Sequence, residues 1–310
     1  MRILVSGSLA YDRIMTFPGR FADHILPDKI HILNVCFLVN GLQERFGGTA
    51  GNIAYNLALL GEAPLILSSA GKDFEQYEKW LVRYGLPLDG IRRVPEDFTA
   101  GAYITTDLSD NQITGFNPAA MNTPCGYDLS RTDPTDALAI VSPGNLSDMR
   151  ELPKTYREMG LPFIMDPGQN ITAFSGEELS EMITGAFALV TNDYELELVM
   201  KATGLDRAAL LLRTPRLITT LGEKGCLIQT REGEKAVPAA PAVKTVDPTG
   251  AGDAFRAGLI KGLILGQSLP ESCALGATCA AYAVEHMGTQ EHCFTLEEFQ
   301  ARYDAAFGPY

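Results

Sequence analysis

Asp247-Pro248-Thr249-Gly250-Ala251-Gly252-Asp253-Ala254-Phe255 is the stretch whose chemistry decides how the rest of the chain is read. Gly250 and Gly252 lack the side chains that would hold backbone N–H groups away from a phosphate. Helical periodicity begins directly afterwards, with Phe255, Gly258, Leu259, Gly262 and Leu263 marking one buried face. A carboxylate in the first turn, Asp253, is favoured there by the helix dipole and points at the same spot as the free amides. It is placed to take a proton from an attacking hydroxyl, so the segment suits phosphoryl transfer. A plain loop-to-helix junction with Asp253 as its N-cap is the competing reading of Gly-x-Gly-Asp alone. The full string is far more specific.

The chain has 310 residues, 46% hydrophobic and 20% charged, enough to bury one large core with or without a smaller appendage. Its net charge of −13 argues against a nucleic-acid or anionic-membrane partner, because either needs a basic surface to displace counterions. A phosphate bound by so acidic a chain has to be neutralised locally, by backbone N–H groups and a divalent metal. Cys36, Cys125, Cys226, Cys273, Cys279 and Cys293 form no C-x-x-C pair, which fits a reduced cytoplasmic protein. The opening Ile3-Leu4-Val5 run ends at Ser6-Gly7, too soon for a signal-peptide core, and no apolar run is long enough to span a bilayer. His24, His31, His286 and His292 include no helix-spaced metal pair and are expected in surface or structural roles.

Short apolar runs that end in small or polar residues, with helical patterns between them, predict a doubly wound, mostly parallel α/β sheet covered on both faces. Ile3–Val5 leads into Gly7-Ser8, Ala137–Val141 into Ser142-Pro143-Gly144-Asn145, and Phe163–Met165 into Asp166-Pro167-Gly168-Gln169. Phe187–Val190 leads into Thr191-Asn192, and Leu217-Ile218 into Thr219-Thr220-Leu221-Gly222. Ligands of such sheets sit beyond the carboxyl ends of the strands, where these polar residues converge. Residues 13–46 and 100–121 break the pattern. The second segment alternates as Tyr103-Ile104-Thr105-Thr106 and Gln112-Ile113-Thr114-Gly115-Phe116, two half-buried strands with Asp110-Asn111 near their turn. Both segments read as a small β-sheet lid that excludes water from the cleft, and residues 1–12, 47–99 and 122–310 as the large domain.

Further constellations fit a small polyhydroxylated substrate and a nucleotide. Phe46-Gly47-Gly48-Thr49-Ala50-Gly51-Asn52 opens a helix with Ile53, Leu57 and Leu60 on one face, stopped by Gly61. Asn52 offers donor and acceptor groups, and Asp12 accepts from two adjacent hydroxyls; a structural turn and a loop aspartate are the plainer alternatives. Asn192-Asp193-Tyr194-Glu195 places an amide and a carboxylate on one helix face, a sparse set that suits a hydrated Mg²⁺, although acidic residues at a helix start explain it locally too. Thr220–Gly225 is a strand-turn-strand element whose glycines let a nucleotide pass, yet as a hairpin it needs no ligand. No P-loop and no dinucleotide G-x-G-x-x-G is present.

In this order the elements resemble the ribokinase-like (PfkB) family of carbohydrate and nucleoside kinases over essentially the whole chain. Gly47-Gly48 with Asn52 is similar to the family's first signature and Asp247–Phe255 to its second. The resemblance implies that Asp253 is the catalytic base, that Gly250, Ala251 and Gly252 supply an anion hole, and that Asn192 and Glu195 organise Mg-ATP with Thr220, Gly222 and Gly225 around the nucleotide. Asp247 and Thr249 match positions used for a monovalent cation such as K⁺. Within the family the chain is most similar to bacterial adenosine kinases, through Phe17–Phe21, Phe37-Leu38-Val39, Thr191–Glu195, Asp253–Gly258 and Gly288–Glu291. That similarity implies ribose binding by Ser8, Asp12, Gly48 and Asn52, a purine sandwiched by Tyr103 and Phe116, and Gln169 with Asn170 at its edge. It departs at Tyr103, where those kinases tend to carry phenylalanine, and at Gln169-Asn170, which replaces a glutamine pair. The implied reaction is ATP-dependent phosphorylation of a purine nucleoside 5′-hydroxyl, adenosine to AMP, in a homodimer joined through the lid near Phe37-Leu38-Val39. A sugar kinase of the same family, and a ligand sensor that keeps the fold without catalysis, are the alternatives.

Overall fold

The apolar runs of the sequence become strands β1 (Arg2–Ser6), β2 (Ala10–Thr16), β3 (Asn40–Gly47), β4 (Leu65–Gly71), β5 (Ile91–Val94), β6 (Ala100–Thr106) and β7 (Gln112–Asn117) in the first half of the chain. Strands β8 (Ala137–Val141), β9 (Phe163–Met165), β10 (Ala188–Asn192), β11 (Leu217–Thr220), β12 (Cys226–Thr230) and β13 (Gly233–Val237) follow. The computed structural model describes residues 1–25 and 34–309, so His31 and part of the expected lid segment 13–46 lie outside the described residues. A nine-stranded sheet runs in the order β13-β12-β11-β10-β9-β8-β1-β4-β5. Its strands are parallel from β5 to β11, and β12 and β13 add an antiparallel edge.

Alternation along the strands divides the core into two layers. Ile3, Val5, Ile66, Ile140, Ile164, Val190 and Ile218 face one side, under helices α1 (Thr49–Leu59), α2 (Glu75–Arg83), α7 (Ala251–Ile264) and α8 (Leu269–Val284). Leu4, Leu65, Leu67, Val141, Phe163, Met165 and Leu189 face the other, under α3 (Leu146–Met159), α4 (Gly176–Ile183), α5 (Asp193–Thr203) and α6 (Arg207–Arg213). A last helix, α9 (Leu296–Phe307), packs on α8. Among the described residues, no helix is long and apolar enough to cross a membrane.

A separate four-stranded sheet has the order β3-β2-β6-β7, with β2 parallel to β6 and its other pairs antiparallel. It begins at Ala10, earlier than the sequence division, because Asp12 pairs with Arg45 and Ala102 across this small sheet. The expectation of half-buried strands fails for β7, which is exposed at every residue. It is an edge strand of the small sheet, and alternation there does not mean burial. Phe37 is turned inward, its ring 4.7 Å from Phe17 and 5.0 Å from Phe21, whereas Leu38 beside it is 84% exposed.

Helices α7 and α8 approach closely through glycine. A Cβ on Gly258 would lie 2.4 Å from the Leu275 carbonyl oxygen, so the crossing tolerates no side chain at that point. We expect Gly258→Val to cost about 1–3 kcal/mol and to lower the melting temperature by several degrees. Thermal unfolding followed by circular dichroism checks it, and an unchanged melting temperature would show that the helices part without cost.

Candidate active site

β1 sits between β4 and β8, so the chain leaves the centre of the sheet in opposite directions and opens a crevice at the carboxyl ends of β1 and β8. Ser8, just past β1, fastens α1 there. Its hydroxyl accepts the Thr49 amide at 3.0 Å and its carbonyl accepts Ala50 at 3.0 Å, while Thr49 Oγ1 donates to the Pro143 carbonyl at 2.7 Å. Helices α4, α5, α8 and α9 each close their first turn with a capping box. Helix α7 does not. Its N-cap is Gly250, left-handed at φ 79°, without a side-chain bond. No backbone acceptor among the described residues takes the amides of Gly252 and Asp253. Both residues line the same hollow, the setting an anion hole requires.

Two hollows meet at that point. The larger, about 850 Å³, lies between the small sheet and the carboxyl edge of the large one. Ser8, Asp12, Gly48, Asn52, Phe116, Gln169, Asn170, Asn192, Glu195, Thr249, Gly250 and Asp253 all line it. The smaller, about 590 Å³, is walled by Gly225, Ala240, Phe255, Ala277 and Val284. Thr220, Gly222, Ala251 and Gly252 border both. All of the sequence-predicted residues except Tyr103 and Asp247 are thus drawn from many elements into one two-chambered cleft.

Several of them are engaged more firmly than the sequence implied. Asn192 and Glu195 bond each other reciprocally: Asn192 Oδ1 accepts the Glu195 amide at 2.7 Å and Glu195 Oε2 accepts the Asn192 amide at 2.8 Å. Asn170 Nδ2 donates to the Gly144 carbonyl at 3.2 Å, while Gln169 is exposed to the cleft. Asp247 lines neither hollow; its carboxylate clasps the Thr249 and Gly288 amides, each at 2.9 Å. Burial would raise this carboxyl, yet those bonds hold it below its ordinary range.

Tyr103 requires a correction. It pairs with Gly115 in β7 whereas Phe116 pairs with Ala102, so the two rings project from opposite faces of the small sheet. Phe116 faces the larger hollow, but Tyr103 lies outside it and accepts a hydrogen bond from Arg13 at 2.9 Å. The expected aromatic sandwich is not formed; the position opposite Phe116 is held by alanine.

Asp253, third residue of α7, accepts a hydrogen bond from Asn52 Nδ2 at 2.8 Å. Burial pushes its carboxyl up to about 6, over the opposing pull of Arg256 and the Asn52 bond, and Glu195 adds to the rise. A carboxyl with that value is mostly ionised at neutral pH, the range that suits a general base. Asp12 is likewise raised, chiefly by burial, with Arg45 opposing. Sequence reasoning gave no role to Arg256 and Asp166, which face each other in a buried ion pair, 6% and 1% exposed, with Arg256 Nη2 donating to Asp166 Oδ1 at 2.6 Å. Burial raises Asp166 while Arg256 opposes it. An arginine one turn after Asp253, within the run of α7 that is otherwise apolar until Lys261, is the signal that would have found it.

The chain belongs to the pfkB family of carbohydrate kinases, whose profile matches residues 14–295. It is similar to a nucleoside kinase of Methanocaldococcus jannaschii, 30% identical over 284 residues that span 87% of this chain and 89% of that protein. It is also similar to the structure of Burkholderia thailandensis nucleoside kinase in complex with inosine, at 38% identity and a TM-score of 0.86 over 99% of this chain and 98% of that one. The same kinase in complex with ADP-inosine gives 40% identity and a TM-score of 0.84 over 99% and 96% of the two chains.

Removing one member of a buried ion pair leaves the other uncompensated. We expect Arg256→Met to destabilise the fold by about 3–5 kcal/mol, and Arg256→Met combined with Asp166→Leu to recover much of that loss. Urea unfolding of the single and double variants measures it; equal loss in both would mean that Asp166 is not left stranded.

Proposed function

We propose that this protein is a nucleoside kinase that transfers the γ-phosphoryl group of ATP to the 5′-hydroxyl of a purine nucleoside, adenosine giving AMP first among the candidates. One observation carries the reading: the two hollows share the uncapped start of α7, where the Gly252 amide and the Asp253 carboxylate stand side by side. A nucleoside in the larger hollow and ATP in the smaller would meet there. Asp12 suits the ribose diol, because an ionised carboxylate accepts from two hydroxyls. Phe116 offers one stacking surface to the base, and the alanine-lined smaller hollow suits the adenine of ATP. Asp253 would take the 5′-hydroxyl proton while the Gly250, Ala251 and Gly252 turn stabilises charge on the transferring group. The nucleoside kinase names of the relatives, and the inosine and ADP-inosine bound by the Burkholderia enzyme, support this assignment.

Among the described residues no group of three or more His, Cys, Asp or Glu forms a metal cage. That donor set fits Mg²⁺ carried in on the phosphates and met through water by Glu195, whose second carboxylate oxygen is left open by the Asn192 bond. Magnesium would supply neutralising charge to the β- and γ-phosphates. The Asp247 carboxylate, held ionised, fits a monovalent cation beside Thr249. A sugar kinase is the second reading, and it draws on Tyr103 facing away, which leaves the base with a single aromatic wall. We assign the outer face of the small sheet, where Leu42, Tyr103 and Ile113 are exposed, to the homodimer contact.

Asp253→Asn is expected to lower kcat at least a thousandfold with nucleoside affinity changed less than about threefold, since the variant keeps the shape but cannot take the proton. For the wild-type enzyme kcat/KM should fall as the pH drops through about 6, where Asp253 becomes protonated. The sign for stability is opposite: a carboxyl raised by folding is penalised when ionised, a cost that grows from about pH 4 and is complete above about pH 6. Asp253→Asn should therefore be more stable than wild type at pH 8, by about 1–2 kcal/mol, and no more stable at pH 4. Product analysis by mass spectrometry on adenosine, inosine, guanosine, ribose and fructose, with melts at both pH values, checks these outcomes; near-normal turnover in Asp253→Asn would refute the assignment.

Phe116→Ala should raise the nucleoside KM roughly tenfold through lost stacking, whereas Tyr103→Ala should leave it within about twofold. Sedimentation velocity on Tyr103→Ala tests the dimer face, with a wild-type association constant counting against it.

A further inference from the structure

Trp80 is the chain's single tryptophan and lines neither hollow. Its ring stacks on Phe46 and Tyr55, with centroids 5.2 and 5.9 Å apart. The indole N–H donates to Gln290 Oε1 at 2.9 Å. Gln290 is 2% exposed, and its Nε2 donates to Asn52 Oδ1 at 3.0 Å and to the Tyr77 hydroxyl at 2.8 Å. Tyr77 gives its own proton to the Gly47 carbonyl at 2.7 Å, and Asn52 gives Nδ2 to Asp253.

A side-chain amide turned end for end keeps its shape but exchanges donor for acceptor. An indole has no such freedom, because its nitrogen can only donate. With Trp80 in place, Gln290 must show it the carbonyl oxygen. The Gln290 amino group then faces Asn52, which must answer with its own oxygen, and the remaining Asn52 amino group faces Asp253. Reversing either amide alone would set donor against donor or oxygen against oxygen inside the fold, which costs more than a hydrogen bond between neutral groups returns.

We propose that Trp80 and Gln290 are positioning residues for the catalytic base, fixing Asn52 in the one orientation that donates to Asp253 and so keeping that carboxylate ready to accept the substrate proton. The inference rests on the reading of Asp253 as the base of a phosphoryl transfer. A hydrogen bond to the charged form of an acid favours that form, whereas a reversed Asn52 would aim its oxygen at Asp253 and fit only the protonated carboxyl. The titratable groups that face Asp253 are Arg256 on α7 itself, Glu195 on α5, Asp166 after β9 and Tyr77 on α2. Trp80→Phe leaves every one of them in place.

The test is the pH dependence of kcat/KM, with adenosine or inosine as substrate, for wild type, Trp80→Phe, Gln290→Leu and the double variant. Phenylalanine keeps the stacked ring and removes the N–H. The acid limb is expected to move up by about half a unit or more in each single variant, with nucleoside KM at pH 8 changed less than about twofold. The double variant should move no further than Gln290→Leu, because the relay is already cut. An acid limb that stays in place in Trp80→Phe, or shifts that add in the double variant, would overturn the proposal; if Trp80→Phe does not fold, the limb of Gln290→Leu decides. Wild-type protein that transfers no phosphoryl group to any nucleoside overturns the functional reading instead, so the two failures are distinguishable.

Discussion

The uncapped start of α7 is the constraint that the rest of the site is arranged around. Helix ends normally recruit a side chain for their spare amides, and four other helices here do so with a Ser, Thr or Asn and a glutamate. At α7 a left-handed glycine takes the cap position, and the amides that follow are left facing a hollow. Such an end is costly unless something outside the protein satisfies it, and an anion does that best because the helix dipole and the N–H groups act together. The fold supports the arrangement from behind. Helix α7 is buried almost all round, locked to α8 by glycine contacts, and anchored to the loop after β9 by the Arg256–Asp166 pair.

Burial of that helix also sets the character of Asp253. A carboxylate on an exposed helix start would stay near its ordinary value, but here desolvation outweighs both Arg256 and Asn52. Arg256 is itself committed to Asp166, so it acts on Asp253 from one turn away without neutralising it. Position and protonation are therefore controlled by separate groups, with the α7 backbone fixing where the carboxylate stands and its neighbours fixing how readily it holds a proton.

The small sheet closes the cleft from the other side and contributes through the alternation of its strands. Asp12 and Phe116 share the face that lines the larger hollow, and Ala102 stands opposite Phe116. Arg13 and Tyr103 share the other face, tied to each other and to Glu44 and Asp73. A period of two thus divides neighbouring residues between the hollow and the outer surface.

Read in order, the residues alone were enough for the parallel sheet, the two glycine-led helix starts and the place of Asp253 in the first turn of one of them. Each of these is a local matter: apolar runs ending in small residues, Gly250 and Gly252 before a helical stripe, Gly47 and Gly48 before another. Propensity and periodicity act over a few residues and are legible in order along the chain. The side of the small sheet that Tyr103 faces emerged with packing, because it depends on the register of β6 against β7 and on which face meets the large sheet. Packing alone joined Arg256 to Asp166, 90 residues apart, and Asn52 to Gln290, 238 apart. Hydrogen bonds between side chains so distant in sequence leave no periodic trace, and they exist only once the strands and helices that carry them have been packed together.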